Sequence, residues 1–184
     1  MPAPRGRTWG GNVFIAASVD GFIARADGDM DWLTAYSAEA GETGYDDLMS
    51  RTDHVLIGRR TYETVLTFDS WPYEGKGVLV LSTTLPASGE PGGDERISVV
   101  RSIPEAVAHL NAVGAAQVYI DGGQVVQASL AAGLVEYLVI TRIPILLGEG
   151  IALFGPLPAD IELYTISSGQ IGDGLIRESY AIVR

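Results

Sequence analysis

Four short runs of branched aliphatic residues stop abruptly at small or hydroxylated ones: "NVFIAAS" at 12–18, "HVLIG" at 54–58, "GVLVLS" at 77–82 and "QVYIDGG" at 117–123. Runs so short and so rich in Val and Ile read as buried strands rather than helices. Helical patterns are interleaved with them, at "RRTYETVL" (59–66), "SIPEAVAHLNAVG" (102–114) and "QVVQASLAAG" (124–133). Ser102 is the expected N-cap of the second, with Pro104 and Glu105 in its first turn and Gly114 just past its end; Gly133 suits the same closing position after the third. Alternating strands and helices require a mainly parallel sheet with helices packed on it. The chain then ends in strands alone, at "LVEYLVITRI", "IELYTISSG" and "LIRESYAIV", which predicts an antiparallel edge.

The remaining segments connect these elements. Asp20-Gly21 marks a turn after the first strand, "RADGDMDWLTAYS" reads as a long acidic loop, and "AEAGETGYDDLMSR" as a helix weakened by Gly41 and Gly44. One domain over residues 12–184, after a loose tail over 1–11, accounts for 184 residues of which 47% are hydrophobic and 19% charged. The absence of cysteine excludes disulfides, thiolate metal sites, a cysteine nucleophile and a Cys-ligated zinc deaminase. His54 and His109 stand alone, so no metal is expected. A net charge of −11 argues against nucleic acid as a partner, because such binding requires a basic face. No apolar run reaches the roughly 20 residues of a membrane span, and the first residues lack the apolar stretch of a secretory signal; a cytoplasmic protein without membrane partners is the expectation.

Ligands of open α/β sheets bind at the carboxyl ends of strands, and three such ends here carry suitable chemistry. Gly58 is followed by Arg59, Arg60 and Thr61, two guanidiniums able to bind phosphate through paired donors. Ser82, Thr83 and Thr84 supply hydroxyls, and Gly122 and Gly123 permit close approach of a ligand to the backbone ahead of Gln124. Each has an ordinary alternative: a packing glycine with surface arginines, a hydroxyl cluster that starts a loop, a tight turn with no ligand. The sequence lacks G-x-G-x-x-G after the first strand, a Walker A loop and a G-x-S-x-G elbow.

Taken in order, "NVFIAASVDGFIA", "HVLIGRRTYETV", "VLVLSTT" and "VYIDGGQVV" resemble the dihydrofolate reductase fold over residues 12–183. Within that fold, "LAAGLVEYLVITRIPILLGEGIALF" is similar to the reductase domain of the bifunctional riboflavin-biosynthesis deaminase/reductase, the RibD C-terminal type, here in stand-alone form. The resemblance implies a three-layer α/β sandwich and an NADPH-dependent reductase of a pyrimidine- or pterin-like heterocycle, similar to 5-amino-6-(5-phosphoribosylamino)uracil reductase. Dihydrofolate reductase proper, or a nucleotide-binding protein without a catalytic step, are the alternatives. It further implies cofactor contacts from Ala17, Gly58, Arg59, Arg60, Thr61, Ser82, Thr83, Asp121, Gly122, Gly123, Gln124 and Val125, and substrate contacts from Trp32 and Ile57. A proton-supplying acid falls to Asp31 or Glu42. A homodimer is implied too, with "LVEYLVITRI" and "PILLGEG" facing the second copy.

Overall fold

The computed structural model describes residues 6–37, 43–88, 90, 92–172 and 174–183. Along the chain come β1 (Gly10–Ser18), β2 (Phe22–Ala24), α1 (Asp31–Ser37), α2 (Tyr45–Arg51), β3 (His54–Gly58), α3 (Arg59–Val65), β4 (Gly77–Leu81) and β5 (Ser98–Val100). There follow α4 (Ile103–Ala112), β6 (Gln117–Asp121), α5 (Gly123–Ala131), β7 (Val135–Ile143), β8 (Ile151–Ala152), β9 (Leu163–Ile171) and β10 (Leu175–Ile182). Eight strands form one sheet in the order β5, β4, β3, β6, β1, β7, β10, β9, while β2 and β8 pair separately. The first six are mutually parallel; β10 runs antiparallel to both β7 and β9, which is the antiparallel end expected of a chain finishing in strands.

Strand periodicity sorts side chains onto two cores. Val13, Ile15, Ala17, Leu56, Leu79 and Ile120 pack with Ala106 and Leu110 of α4 and Val126 and Leu130 of α5. Val55, Ile57, Val78, Val80 and Tyr119 pack on the other face with Met49 of α2 and Tyr62 and Val65 of α3. Helices on both faces of the sheet make three layers. All three expected helix-end residues take their places. The Ser102 hydroxyl accepts from the Glu105 amide at 3.3 Å, and Gly114 and Gly133 close their helices at φ of 70° and 68°. Ser102→Ala is expected to remove about 1 kcal/mol of stability, read as a lower urea midpoint with an unchanged slope.

Two features differ from expectation. "RADGDMDWLTAYS" is not all loop. Its second half is α1, with the Asp29 carboxylate accepting from the Asp31 amide at 2.8 Å and Trp32 inserted into a small core with Ile143 and Leu175. Burial of that indole holds a helix that local propensity does not announce. The helix expected over residues 38–51 begins, within the described residues, after Gly44 at φ 83°, and its last turn is held by Lys76, whose Nζ donates to the Met49 and Thr52 carbonyls at 2.7 and 2.9 Å. β7, expected to face a second copy, is hydrogen-bonded along both edges, to β1 and to β10, so it offers a face and no open edge. The uncovered strand is β9, exposed at every position but its last. Among the described residues no helix is long and apolar enough to cross a membrane.

Candidate active site

The parallel strands all deliver their carboxyl ends to one edge of the sheet, where a cleft of about 780 Å³ opens. Across the sheet its lining passes from Arg101, after β5, to Ser82, Thr83 and Thr84, after β4, then to Gly58, Arg59, Arg60 and Thr61 at the start of α3. It continues through Asp121, Gly122, Gly123, Gln124 and Val125, where β6 meets α5, and reaches Phe14 and Ala16 of β1. Four strand spacings separate β5 from β1, about 19 Å. The roof is the β2–β8 pair, which contributes Ile23, Ala24 and Ile151. A clasp holds that roof: Asp20 accepts from Ser18 Oγ at 2.6 Å and from the Leu147 and Gly148 amides at 3.1 and 2.7 Å, and the Ser18 hydroxyl in particular holds its carboxyl below the usual range.

The glycine pair sits where two pieces of structure close on the strand end. Gly122 has φ 92° and ψ 131°, and a Cβ there would lie 2.5 Å from Thr61 Oγ1. A Cβ on Gly123 would press on Ile23 Cδ1, the Ala152 carbonyl and Ile151 Cγ2 at 3.1–3.2 Å, so the roof can approach only a bare backbone.

One end of the cleft is cationic and hydroxyl-rich. Arg59 is already engaged, donating to Glu63 Oε1 at 2.6 Å and Thr84 Oγ1 at 2.8 Å. Arg101 donates to the Ser82 and Leu85 carbonyls at 2.8 and 2.7 Å. Arg60 is exposed and has no side-chain partner among the described residues.

The other end is aromatic and surrounds one carboxyl. Phe14, Tyr45 and Tyr119 form an edge-to-face chain with centroids 5.8 and 6.0 Å apart, and Tyr73 lines the same end. Asp121 shares the face of β6 that carries Tyr119, two residues earlier. Burial raises the Asp121 pKa, opposed by the Gly122 amide and by the Tyr119 hydroxyl, which also lies 3.1 Å from the Phe14 carbonyl. Burial, and then the nearby Asp121 charge, pushes Tyr45 up to about 12, and the same two causes lift Tyr73 and Tyr119. The tyrosines therefore stay protonated donors, and Asp121 is the group here that can exchange a proton nearer neutrality.

The cleft thus assembles every residue expected at the cofactor except Ala17, which is fully buried against the α5 side while Ala16, on the opposite face, lines the cleft. Ile57 is likewise wholly buried beneath the site rather than in it, and Trp32 lies in the α1 core while the next residue, Leu33, reaches the cleft. Asp31 is exposed at the start of α1 and does not line the cleft. Glu42 lies outside the described residues. Sequence reasoning missed Arg101 and the tyrosines. Arg101 follows a strand end just as Arg59 does, a signal that was available; the tyrosines come from three separate segments. Among the described residues no group of three His, Asp or Glu side chains is placed to hold a metal ion.

The sequence profile of the RibD C-terminal domain matches residues 11–177. The chain is similar to YwjB of Bacillus subtilis, an uncharacterized protein, with 32% identity over 89% of this chain and 92% of that one. Its fold is similar to the crystal structure of a candidate riboflavin biosynthesis protein of Shewanella sp. PV-4, with a TM-score of 0.85 and 40% identity over 95% of this chain and 99% of that one. Dihydrofolate reductase of Enterococcus faecalis, solved in complex with NADP(H), shares the fold at a TM-score of 0.66 and 17% identity, over 95% of this chain and 97% of that one.

Proposed function

Since the chain belongs to the RibD C-terminal domain family, we propose that it is an NADPH-dependent reductase acting on a planar nitrogen heterocycle of the pyrimidine or pterin type. The carrying observation is a single cleft that joins a cationic, hydroxyl-rich end to an aromatic end with one half-buried carboxyl. Arg60, Arg101 and the hydroxyls of Ser82, Thr83 and Thr84 suit the phosphate on the adenosine ribose, and Gly122 and Gly123 leave room for the pyrophosphate beside the first amides of α5. NADPH, when bound, supplies the hydride. Phe14, Tyr45 and Tyr119 form an aromatic wall against which the heterocycle packs and which excludes water, and Asp121 is the proton source for the ring nitrogen. Reduction of a C=N bond then places hydride on carbon and the Asp121 proton on nitrogen, and water reprotonates the carboxylate.

Titration with NADPH and NADH, followed by nicotinamide fluorescence, is expected to show selectivity for NADPH; equal affinities would remove the phosphate role from the cationic end. Arg60→Ala is expected to weaken NADPH by about ten- to a hundredfold, the worth of one charge-assisted hydrogen bond, with NADH little changed. Arg59→Ala has the smaller effect, because Glu63 and Thr84 already occupy that guanidinium. Tight NADPH binding without its oxidation by any heterocycle would favour a nucleotide-binding protein.

A homodimer joined along β9 accompanies this reading. That strand is exposed on both faces, has one unpaired edge and carries no charged residue, in a chain with net charge −11. Two such chains repel over most of their surface and meet most readily where charge is absent. Sedimentation should give a dimer that Ile166→Lys and Tyr164→Glu convert to monomer.

A further inference from the structure

We infer that the molecule reduced in the aromatic end of this cleft carries no phosphate: the site takes a neutral or cationic heterocycle and repels phosphorylated ones. The inference deepens the reductase reading and rests on it. Its basis is the distribution of charge around the cleft.

All three cations that line the cleft, Arg59, Arg60 and Arg101, stand at the β3 to β5 end. The opposite end is bounded on one side by residues 25–37 and 43–51, whose Ala24-adjacent loop and helices bring Gly28, Met30, Leu33 and Tyr45 to the cleft wall. These residues include five carboxylic acids, Asp27, Asp29, Asp31, Asp46 and Asp47, against Arg25 and Arg51, and Arg51 is paired with Asp47 at 2.8 Å. Arg25 lies 3.6 Å from the Asp29 carboxylate, so its charge is met within the segment itself. Asp27, Asp31, Asp46 and Asp47 are exposed. On the facing bank, Phe68, Pro72 and Tyr73 line the cleft from the segment 66–76, which has Asp69 and Glu74 against Lys76, whose ammonium is held by the Met49 and Thr52 carbonyls; Arg96, stacked on Trp71, is paired with Asp94. Arg177, from β10, donates to the Thr43 carbonyl behind α2 and does not line the cleft.

A phosphate at this end would therefore find no lining guanidinium and an excess of like charge on both banks, with Asp121 at the floor. Like charges at such separations oppose binding most at low ionic strength, where the screening length is about 30 Å at 0.01 M, and little at 1 M, where it is about 3 Å. The same field favours a ring bearing amino groups or a positive charge. The cofactor's own phosphates are spared, because the span of the cleft places them at the cationic end.

The test uses two matched pairs of probes: 5-amino-6-ribosylaminouracil with its 5′-phosphate, and a pterin with the same pterin phosphorylated on its side chain. Direct titration of the protein with NADPH comes first, and absence of binding there would remove the reductase reading itself. With NADPH saturating, kcat/KM for the unphosphorylated member of at least one pair should exceed that of its phosphorylated partner by tenfold or more at low salt. The ratio should shrink at 1 M salt. Asp27→Asn with Asp46→Asn, both on exposed positions, should narrow the ratio at low salt by raising turnover of the phosphorylated member. Equal or better turnover of the phosphorylated members, or a protein that binds NADPH yet reduces none of the four, would overturn the inference.

Discussion

Gly122→Ala is expected to abolish cofactor binding in practice, with NADPH affinity reduced by more than a hundredfold and stability by about 2 kcal/mol or more. Two penalties combine. A φ of 92° with ψ of 131° is open to glycine alone, and a side chain held there costs about 1–3 kcal/mol. The new methyl would also overlap Thr61 Oγ1, so either α3 moves off the end of β6 or the strand end twists away. Both responses break the surface over which the pyrophosphate is proposed to run. Gly114→Ala is the control: φ is 70° there, but nothing lies within 4 Å of the added methyl. That variant should lose about 1 kcal/mol and keep its NADPH affinity. A Gly122→Ala protein that binds NADPH normally would place the dinucleotide elsewhere.

Asp121→Asn should separate chemistry from binding. Loss of a proton donor lowers kcat by about 10²- to 10⁴-fold, whereas NADPH affinity, set mainly at the far end of the cleft, should change by only a few-fold. Stability should move the other way. Burial raises the folded pKa of Asp121 above its unfolded value, so the ionised form disfavours the folded state. That penalty is absent below the unfolded pKa of about 3.9, grows as pH rises through the folded pKa, and is constant above it. The asparagine removes it and can still accept from the Gly122 amide, so the variant should be more stable than the parent at neutral pH and no more stable in acid. Denaturant midpoints at both pH values, beside steady-state NADPH oxidation, read the two effects. Unchanged turnover would assign the proton to water or to another side chain.

The strands were legible because their apolar runs are short, branched and cut off by Gly, Ser or Asp, and the helix ends because Ser102, Gly114 and Gly133 act locally. The cleft was legible for a related reason: in a parallel sheet, whatever follows each strand arrives at one edge, so "GRRT", "STT" and "DGGQV" converge without knowledge of loop paths. What stayed hidden depends on distant partners. α1 exists because Trp32 finds Ile143 and Leu175, more than a hundred residues away. The aromatic end requires β6 beside β1, which sets Tyr119 near Phe14, and α2 above them, which adds Tyr45. Ala17 was displaced by strand periodicity, since a shift of one residue exchanges cleft for core; Ile57 shares the face of Tyr119 but is covered by the packing of α2 and α3. The difference between Arg59 and Arg60 was half visible, because Glu63 stands four residues after Arg59, a helical ion-pair spacing.

Lys76 gives this protein an unusual chemical quietness. It is the single lysine of the chain, its ammonium is held between two carbonyls, and no cysteine accompanies it. Among side chains, amine-directed dyes and cross-linkers therefore meet only an ammonium that must give up both hydrogen bonds to react, and thiol reagents meet nothing. One introduced cysteine becomes a unique handle. Placed at the exposed Thr165 of β9, a spin label would report the distance between two associated copies; at Ser88, on the exposed loop after β4, a fluorophore would follow loading of the cleft.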